Sequence, residues 1–189
     1  MATRSTKPSG RKQPYAALLR GINLGSRNKI SMADLRALFE SLGAEDVRTH
    51  VQSGNVVFRS PATARELERS IEQRISSDLD LDIRVLLRTK AQLAKVVRDN
   101  PFLAGQAPQK TLYVTFLADK PAQARVGELD PTAFEPDTFE VVGREVYLHV
   151  PNGYGRSKLS NAHFEKRLAV AATTRNWNTV TALAELTGA

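Results

Sequence analysis

The stretch DVRTHVQSGNVVFRS (residues 46–60) decides the fold, because it predicts two strands joined by a tight turn. DVRTHVQ and NVVFRS are rich in β-branched residues, and the SGN between them is typical of a hairpin connection. A helix is predicted on each side of this hairpin. Residues 31–43 combine a Ser31–Asp34 capping signature with a terminating glycine, and residues 61–79 repeat apolar residues every four positions.

A further strand is predicted before and after these elements, in YAALLRG (15–21) and IRVLLRT (83–89). Strand, helix, strand, strand, helix, strand is the order of a ferredoxin-like unit, predicted over residues 14–88. Residues 89–109 are predicted to form a linking helix and loop. The same order then restarts and fills residues 110–189, with a terminal helix added.

The predicted fold class is therefore α+β, a tandem of two ferredoxin-like (βαββαβ) units with a linking helix and a C-terminal helix. The two halves show no obvious residue-level repeat, so the duplication rests on element order alone. The composition agrees with a globular chain, since 41% of the 189 residues are hydrophobic and 25% are charged.

The net charge of +7 is concentrated at the N-terminus. Residues 1–13, MATRSTKPSGRKQ, carry four basic residues and no acid, which leaves +3 for the body. This segment is predicted to be a disordered basic tail, and such tails make non-specific contacts with nucleic acid.

We expect the chain to fall outside several classes of protein. No apolar run approaches the roughly 18 residues of a membrane span, and YAALL is too short for the core of a signal peptide. Cysteine is absent, so we expect no disulfide, thiolate metal site or thiol catalysis. We expect a cytoplasmic protein that does not bind membranes.

The segment LLRGINLGSRNKISM (18–32) resembles a phosphate loop but has the spacing of neither common type. The dinucleotide fingerprint needs a third glycine, and the P-loop needs Lys and Ser or Thr directly after its second glycine. Basic residues near a helix N-terminus still suit an anion. The alternative is an ordinary turn with solvated charges. The candidate residues are Arg20, Gly21, Asn23, Gly25 and Lys29.

A second polar cluster, Gln52, Ser53 and Asn55, lies at the tip of the predicted hairpin. The first and third strands of a ferredoxin-like unit run antiparallel, so we expect Arg20 and Asn55 to face each other. Alternatively, Ser53 and Asn55 satisfy hydrogen bonds of the turn itself.

The third cluster is C-terminal, in YGRSKLSNAHFEKRL and TTRNWNTV. Arg156 and Lys158 precede a predicted helix, a place suited to an anion. Trp177 is predicted to plug the core, and Asn178 to cap the terminal helix. Arg175 is either a ligand clamp or the partner of a buried carboxylate, and the sequence does not separate these roles.

No catalytic constellation is present in the sequence. His50, His149 and His163 lack metal-binding spacing. The DLDLD segment (78–82) is interpreted as a solvated approach to a strand, so we expect no metal site. Neither a cofactor nor a reaction follows from the chain.

YAALLRGINLGSRNKISMADLRALFESLGAEDVRTHVQSGNVVF together with KLSNAHFEKRLAVAATTRNWNTVTAL closely resembles an uncharacterised bacterial family, domain of unknown function 1697. The resemblance extends from Tyr15 to Leu186 and implies two ferredoxin-like units, but no activity. It also implies which positions recur in the family: Arg20, Gly21, Asn23, Gly25, Lys29, Gln52, Ser53, Gly54, Asn55, Lys158, Asn161, Thr174, Arg175, Asn176 and Trp177.

The leading functional hypothesis is a protein that holds an anionic small molecule, a nucleotide or phosphorylated metabolite, at a composite site. Arg20, Lys29, Lys158 and Arg175 would neutralise charge, and the polar residues of the three clusters would orient the ligand. One alternative is RNA binding through RRM-like topology, for which Tyr15 and Phe58 are the aromatic candidates. Another is an interaction scaffold with an exposed apolar patch. The sequence leaves the oligomeric state open.

Overall fold

The computed structural model describes residues 11–25 and 27–188. Most of the predicted basic tail, residues 1–10, lies outside the described residues. Gln13, the last residue of the predicted tail, begins the first strand, and Lys12 forms an ion pair with Glu45.

The described residues form a mixed α+β structure with two four-stranded antiparallel sheets. The strands of the first sheet lie in the order β2-β3-β1-β4. The elements of this half are β1 (Gln13–Leu19), α1 (Met32–Ser41), β2 (Glu45–His50), β3 (Asn55–Ser60), α2 (Ala64–Leu79) and β4 (Val85–Thr89), and α3 (Lys90–Arg98) follows.

The second sheet repeats this arrangement, with strand order β6-β7-β5-β8. Its elements are β5 (Leu112–Leu117), α4 (Gln123–Gly127), β6 (Thr138–Val142), β7 (Glu145–His149), α5 (Asn161–Leu168), β8 (Ala172–Asn176) and α6 (Trp177–Gly188).

Local sequence signals set the helix boundaries in most places. The Ser31 hydroxyl accepts a hydrogen bond from the Asp34 N–H, which confirms the predicted cap of α1. The predicted cap of the terminal helix is wrong by two residues. α6 begins at Trp177, and the Asn176 side chain accepts from the Thr179 N–H at 2.8 Å. Asn178 lies inside the helix.

The two halves share part of their core. One face of each sheet packs on the helices of its own half. The other faces contribute Leu18, Leu86, Val114 and Phe116 to a common core with α3 and α6. Trp177 lies in this core and is 2% exposed, as predicted.

Two buried arginines join the halves at equivalent positions. Arg88 of β4 lies opposite Ala16 of β1, and Arg175 of β8 lies opposite Val114 of β5. The Arg88 guanidinium donates to the carbonyls of Leu117 (2.7 Å) and Arg144 (3.2 Å) in the second half.

Arg175 makes the corresponding contacts in the opposite direction. It donates to the carbonyls of Leu19 (2.8 Å) and Gly54 (3.4 Å) in the first half. Leu19 and Leu117 also occupy equivalent positions in the two halves. The Leu19 N–H donates to the Gly54 carbonyl, and the Leu117 N–H donates to the Arg144 carbonyl, both at 2.8 Å. A residue-level repeat that is not apparent in the sequence is thus visible in the structure, in the contacts of Arg88 and Arg175 between the two halves.

Candidate functional site

The loop after β1 is held in shape by two asparagines. The Asn23 amide donates to the carbonyls of Ile30 (3.0 Å) and Gln52 (2.9 Å) and accepts from the Ile30 N–H (3.0 Å). Asn28 donates to the Gly21 carbonyl at 3.1 Å. Gly21 and Asn23 therefore build the loop and fasten it to the hairpin tip.

The hairpin tip contains Asn55, which is fully buried. Its amide N–H groups donate to the His50 carbonyl and the Ser53 hydroxyl, both at 3.1 Å, so it braces the turn. Its Oδ1 accepts from Arg175 Nε at 2.6 Å. Asn55 thus satisfies hydrogen bonds of its own turn, which was the alternative interpretation of this cluster, and its side chain also contacts the C-terminal cluster through Arg175.

All five N–H donors of Arg175 have protein partners. Besides Asn55 and the two carbonyls of the first half, the guanidinium donates to Thr173 Oγ1 (2.8 Å) and to the Thr174 carbonyl (2.9 Å). Burial lowers the pKa of Arg175 to about 10. Neither sequence interpretation of Arg175 describes these contacts, which are to backbone carbonyls, a hydroxyl and an amide rather than to a carboxylate.

Arg20 also contacts the other half of the molecule. Its guanidinium forms a two-point ion pair with Glu165 of α5, with Nε and Nη2 lying 2.7 and 2.6 Å from the two carboxylate oxygens. Glu165 also accepts from the Ala172 N–H at 2.9 Å. Arg20 and Arg175 thus both form hydrogen bonds between the two halves, Arg20 to Glu165 and Arg175 to Asn55, Leu19 and Gly54. We call this set of contacts, with those of Arg88, the joint between the two sheets.

The remaining predicted residues near this joint divide into two groups. Asn176 caps α6. Gly25, Lys29, Gln52 and Ser53 are exposed, and no side-chain hydrogen bond or ion pair holds Lys29 to another described residue.

Asn161 and Thr174 belong to a hydroxyl network beneath α5. Thr174 Oγ1 contacts Thr115 Oγ1 (2.7 Å), the Tyr154 hydroxyl (3.0 Å) and Asn161 Oδ1 (2.6 Å). Burial raises the pKa of Tyr154. This network fastens the segment of residues 152–160 to β8, and so fixes the backbone on both sides of Arg156 and Lys158.

A cleft of about 440 Å³ lies between this segment and the loop that precedes β6. Arg156 and Lys158 line one part of it, and Glu135 and Asp137 line another. Lys158 was predicted as a ligand contact. The acidic wall was not, because residues 133–137 form a connecting loop without periodicity or a motif. The complete lining is Ala133, Phe134, Glu135, Pro136, Asp137, Asn152, Gly153, Arg156, Ser157 and Lys158.

Ala133 and Phe134 line both this cleft and a neighbouring cavity of about 310 Å³, which His163 also lines. The Phe134 ring meets the His163 ring edge to face, with centroids 5.1 Å apart. Burial, and then the charge of Arg167, lower the pKa of His163. The loop is therefore packed directly on α5.

The aromatic residues considered for RNA binding are not on the surface. Tyr15 and Phe58 stack on each other with ring centroids 5.8 Å apart, and each is 1% exposed. The opposite face of the sheet lies in the core common to both halves. An RRM-type stacking platform is therefore not available to these two rings.

Within residues 11–25 and 27–188, no group of three His, Asp or Glu side chains is arranged to hold a metal ion. The same part of the chain contains no helix with both the length and the apolar character needed to cross a bilayer.

These observations define an α+β protein of two antiparallel sheets joined by reciprocal arginines, with a cleft of mixed charge beside α5. The chain belongs to the family described as "Protein of unknown function (DUF1697)", which matches residues 13–147. A similar solved structure is described as that of conserved bacterial protein SP0830 from Streptococcus pneumoniae. It shares 20% identity and a TM-score of 0.67, with 94% of this chain and 99% of that chain covered. No curated protein matches the chain.

Proposed function

We propose that the protein binds a small anionic ligand, a nucleotide or phosphorylated metabolite, in the cleft beside α5. The observation that carries this proposal is the presence of two exposed cations, Arg156 and Lys158, on one wall of a 440 Å³ cleft. Clefts of about 300–1,000 Å³ are typical of small-molecule sites. No reaction is proposed.

Ser157, between the two cations, also lines the cleft. Its Oγ accepts from the Leu159 N–H at 3.1 Å, which leaves its O–H proton available to donate to an anion. Arg20 and Arg175 do not line this cleft. Their role in the proposal is to hold α5 and β8 against the first sheet.

Calorimetric titration with nucleotides and sugar phosphates tests the proposal. Arg156→Gln and Lys158→Gln should each weaken the binding of a phosphate compound about tenfold, the loss of one charge-assisted hydrogen bond. Lys120→Gln is the matched control, because Lys120 is also exposed and lies outside the cleft. Binding that both cleft variants leave unchanged would refute the proposal, as would the absence of binding by any phosphate compound.

We also infer that each sheet with its helices is a ferredoxin-like unit. The strand orders and the equivalent positions of Arg88 and Arg175 support this inference. The division at residues 14–88 and 110–189, the cytoplasmic location and the contact of the basic tail with nucleic acid stay predictions.

A further inference from the structure

We propose that the ligand of this cleft is zwitterionic, with a protonated amine that pairs with Asp137 in addition to the phosphate held by Arg156 and Lys158. The phosphate half of this proposal rests on the proposed function. The amine half rests on separate observations about the loop before β6.

Asp137 is the first of these observations. The residue is only 9% exposed and lines the cleft. Its side chain makes no hydrogen bond or ion pair with any residue in 11–25 and 27–188, although its backbone N–H donates to the Phe134 carbonyl at 2.9 Å. Its carboxylate oxygens are not fully buried, since Asn100 Nδ2 is the side-chain polar atom that is both fully buried and without a partner in the described residues. They are therefore open to the cleft, where the amine of a ligand can pair with them.

Asp130, in the same loop region, shows the contrast. Its Oδ1 accepts from the Thr132 N–H (2.9 Å) and hydroxyl (2.7 Å), and these bonds lower its pKa. Asp130 therefore shapes its own turn. Asp137 forms no such side-chain hydrogen bond within the described residues, so its carboxylate is available to a ligand in the cleft.

The second observation is that the opposite charges of the cleft do not neutralise each other. No ion pair within 4.0 Å joins Arg156 or Lys158 to Glu135 or Asp137. A cleft that keeps a cationic wall and an acidic wall apart is complementary to a molecule with both charges. A divalent cation fits less well, because only two carboxylates line the cleft and hard cations take six or more oxygen ligands.

Three matched probes test the inference: phosphoethanolamine, ethyl phosphate and ethanolamine. Phosphoethanolamine carries both charges, ethyl phosphate carries only the phosphate, and ethanolamine carries only the amine. Affinities measured by NMR-detected titration of the full chain should rank phosphoethanolamine roughly tenfold above ethyl phosphate, the contribution of one charge-assisted contact.

Asp137→Asn is nearly isosteric and should abolish this preference while it leaves the binding of ethyl phosphate intact. Glu128→Gln, at an exposed carboxylate that does not line the cleft, is the control and should retain the preference. Equal affinity for phosphoethanolamine and ethyl phosphate would overturn the inference but leave the proposed function standing. If ethyl phosphate and phosphoethanolamine both fail to bind, the proposed function and the inference fall together.

Discussion

Arg175→Met is expected to destabilise the protein by breaking the joint between the two sheets. The substitution removes five N–H donors, and three of their acceptors belong to the first half: the carbonyls of Leu19 and Gly54 and the side chain of Asn55. Leu19 and Asn55 are fully buried. The Gly54 carbonyl keeps the Leu19 N–H as a donor, whereas the Leu19 carbonyl and the Asn55 Oδ1 each lose the donor that Arg175 supplied. A buried acceptor without a donor costs about 1 kcal/mol or more, so these two together cost about 2 kcal/mol.

Part of this loss is offset, because the variant no longer buries a guanidinium that lacks a carboxylate partner. We therefore expect a net loss of about 1–2 kcal/mol in the free energy of unfolding. For a chain of this size, that corresponds to a decrease of about 2–8 °C in Tm. Urea titration and calorimetry measure both quantities.

Two further variants show which property of Arg175 matters. Arg175→Lys keeps the charge but replaces the planar guanidinium with a single ammonium, which cannot reach five acceptors, so it should lose nearly as much stability as Arg175→Met. Arg69→Met, at an exposed arginine, is the control and should change stability by less than about 0.5 kcal/mol. If Arg175→Met were as mild as this control, the joint would not contribute to stability as argued.

Two other perturbations follow from the same structure. At Gly54, φ is +79°, and an added Cβ would lie 2.7 Å from Ile22 Cγ1; Gly54→Ala should therefore lose about 2–4 kcal/mol in urea titration. Gly25 also has a positive φ, but an added Cβ there meets nothing within 4 Å, so Gly25→Ala should lose about 1–2 kcal/mol. Equal losses in the two variants would contradict a clash between the added Cβ of residue 54 and Ile22. The lowered pKa of His163 means that the unfolded chain binds its proton more readily. The stability gained from neutral His163 is present above the unfolded pKa of about 6.5 and is lost as the pH falls through the folded pKa. The pH dependence of Tm should be weaker in His163→Gln, and an unchanged profile would contradict this assignment.

The sequence predicted the features that depend on local chemistry. The Ser31 cap, the hairpin of residues 46–60 and the burial of Trp177 all follow from neighbouring residues or periodicity. The displaced cap of α6 shows the limit of such signals, since Asn176 and Asn178 are equally good capping residues.

The parts of the candidate site that were missed depend on distant contacts. Arg175 donates to Asn55, which lies 120 residues earlier in the sequence. No pattern among neighbouring residues predicts that all five N–H donors of Arg175 have partners. Asp137 lies in a loop without periodicity, and only the folded chain shows that it is buried beside Arg156 and Lys158. The polar motifs near residues 20 and 175 therefore correspond to the joint between the sheets. Of the cleft beside α5, the sequence predicted the cationic wall through Lys158 but not the acidic wall.

The most direct test of the account is the location of backbone amide shifts when the full chain is titrated with a phosphate compound. We predict that the perturbed amides lie in residues 133–137 and 152–161, around the cleft. Shifts centred instead on residues 20–29 and 52–55 would contradict the account, because they would place the ligand at the loop and hairpin that form the joint.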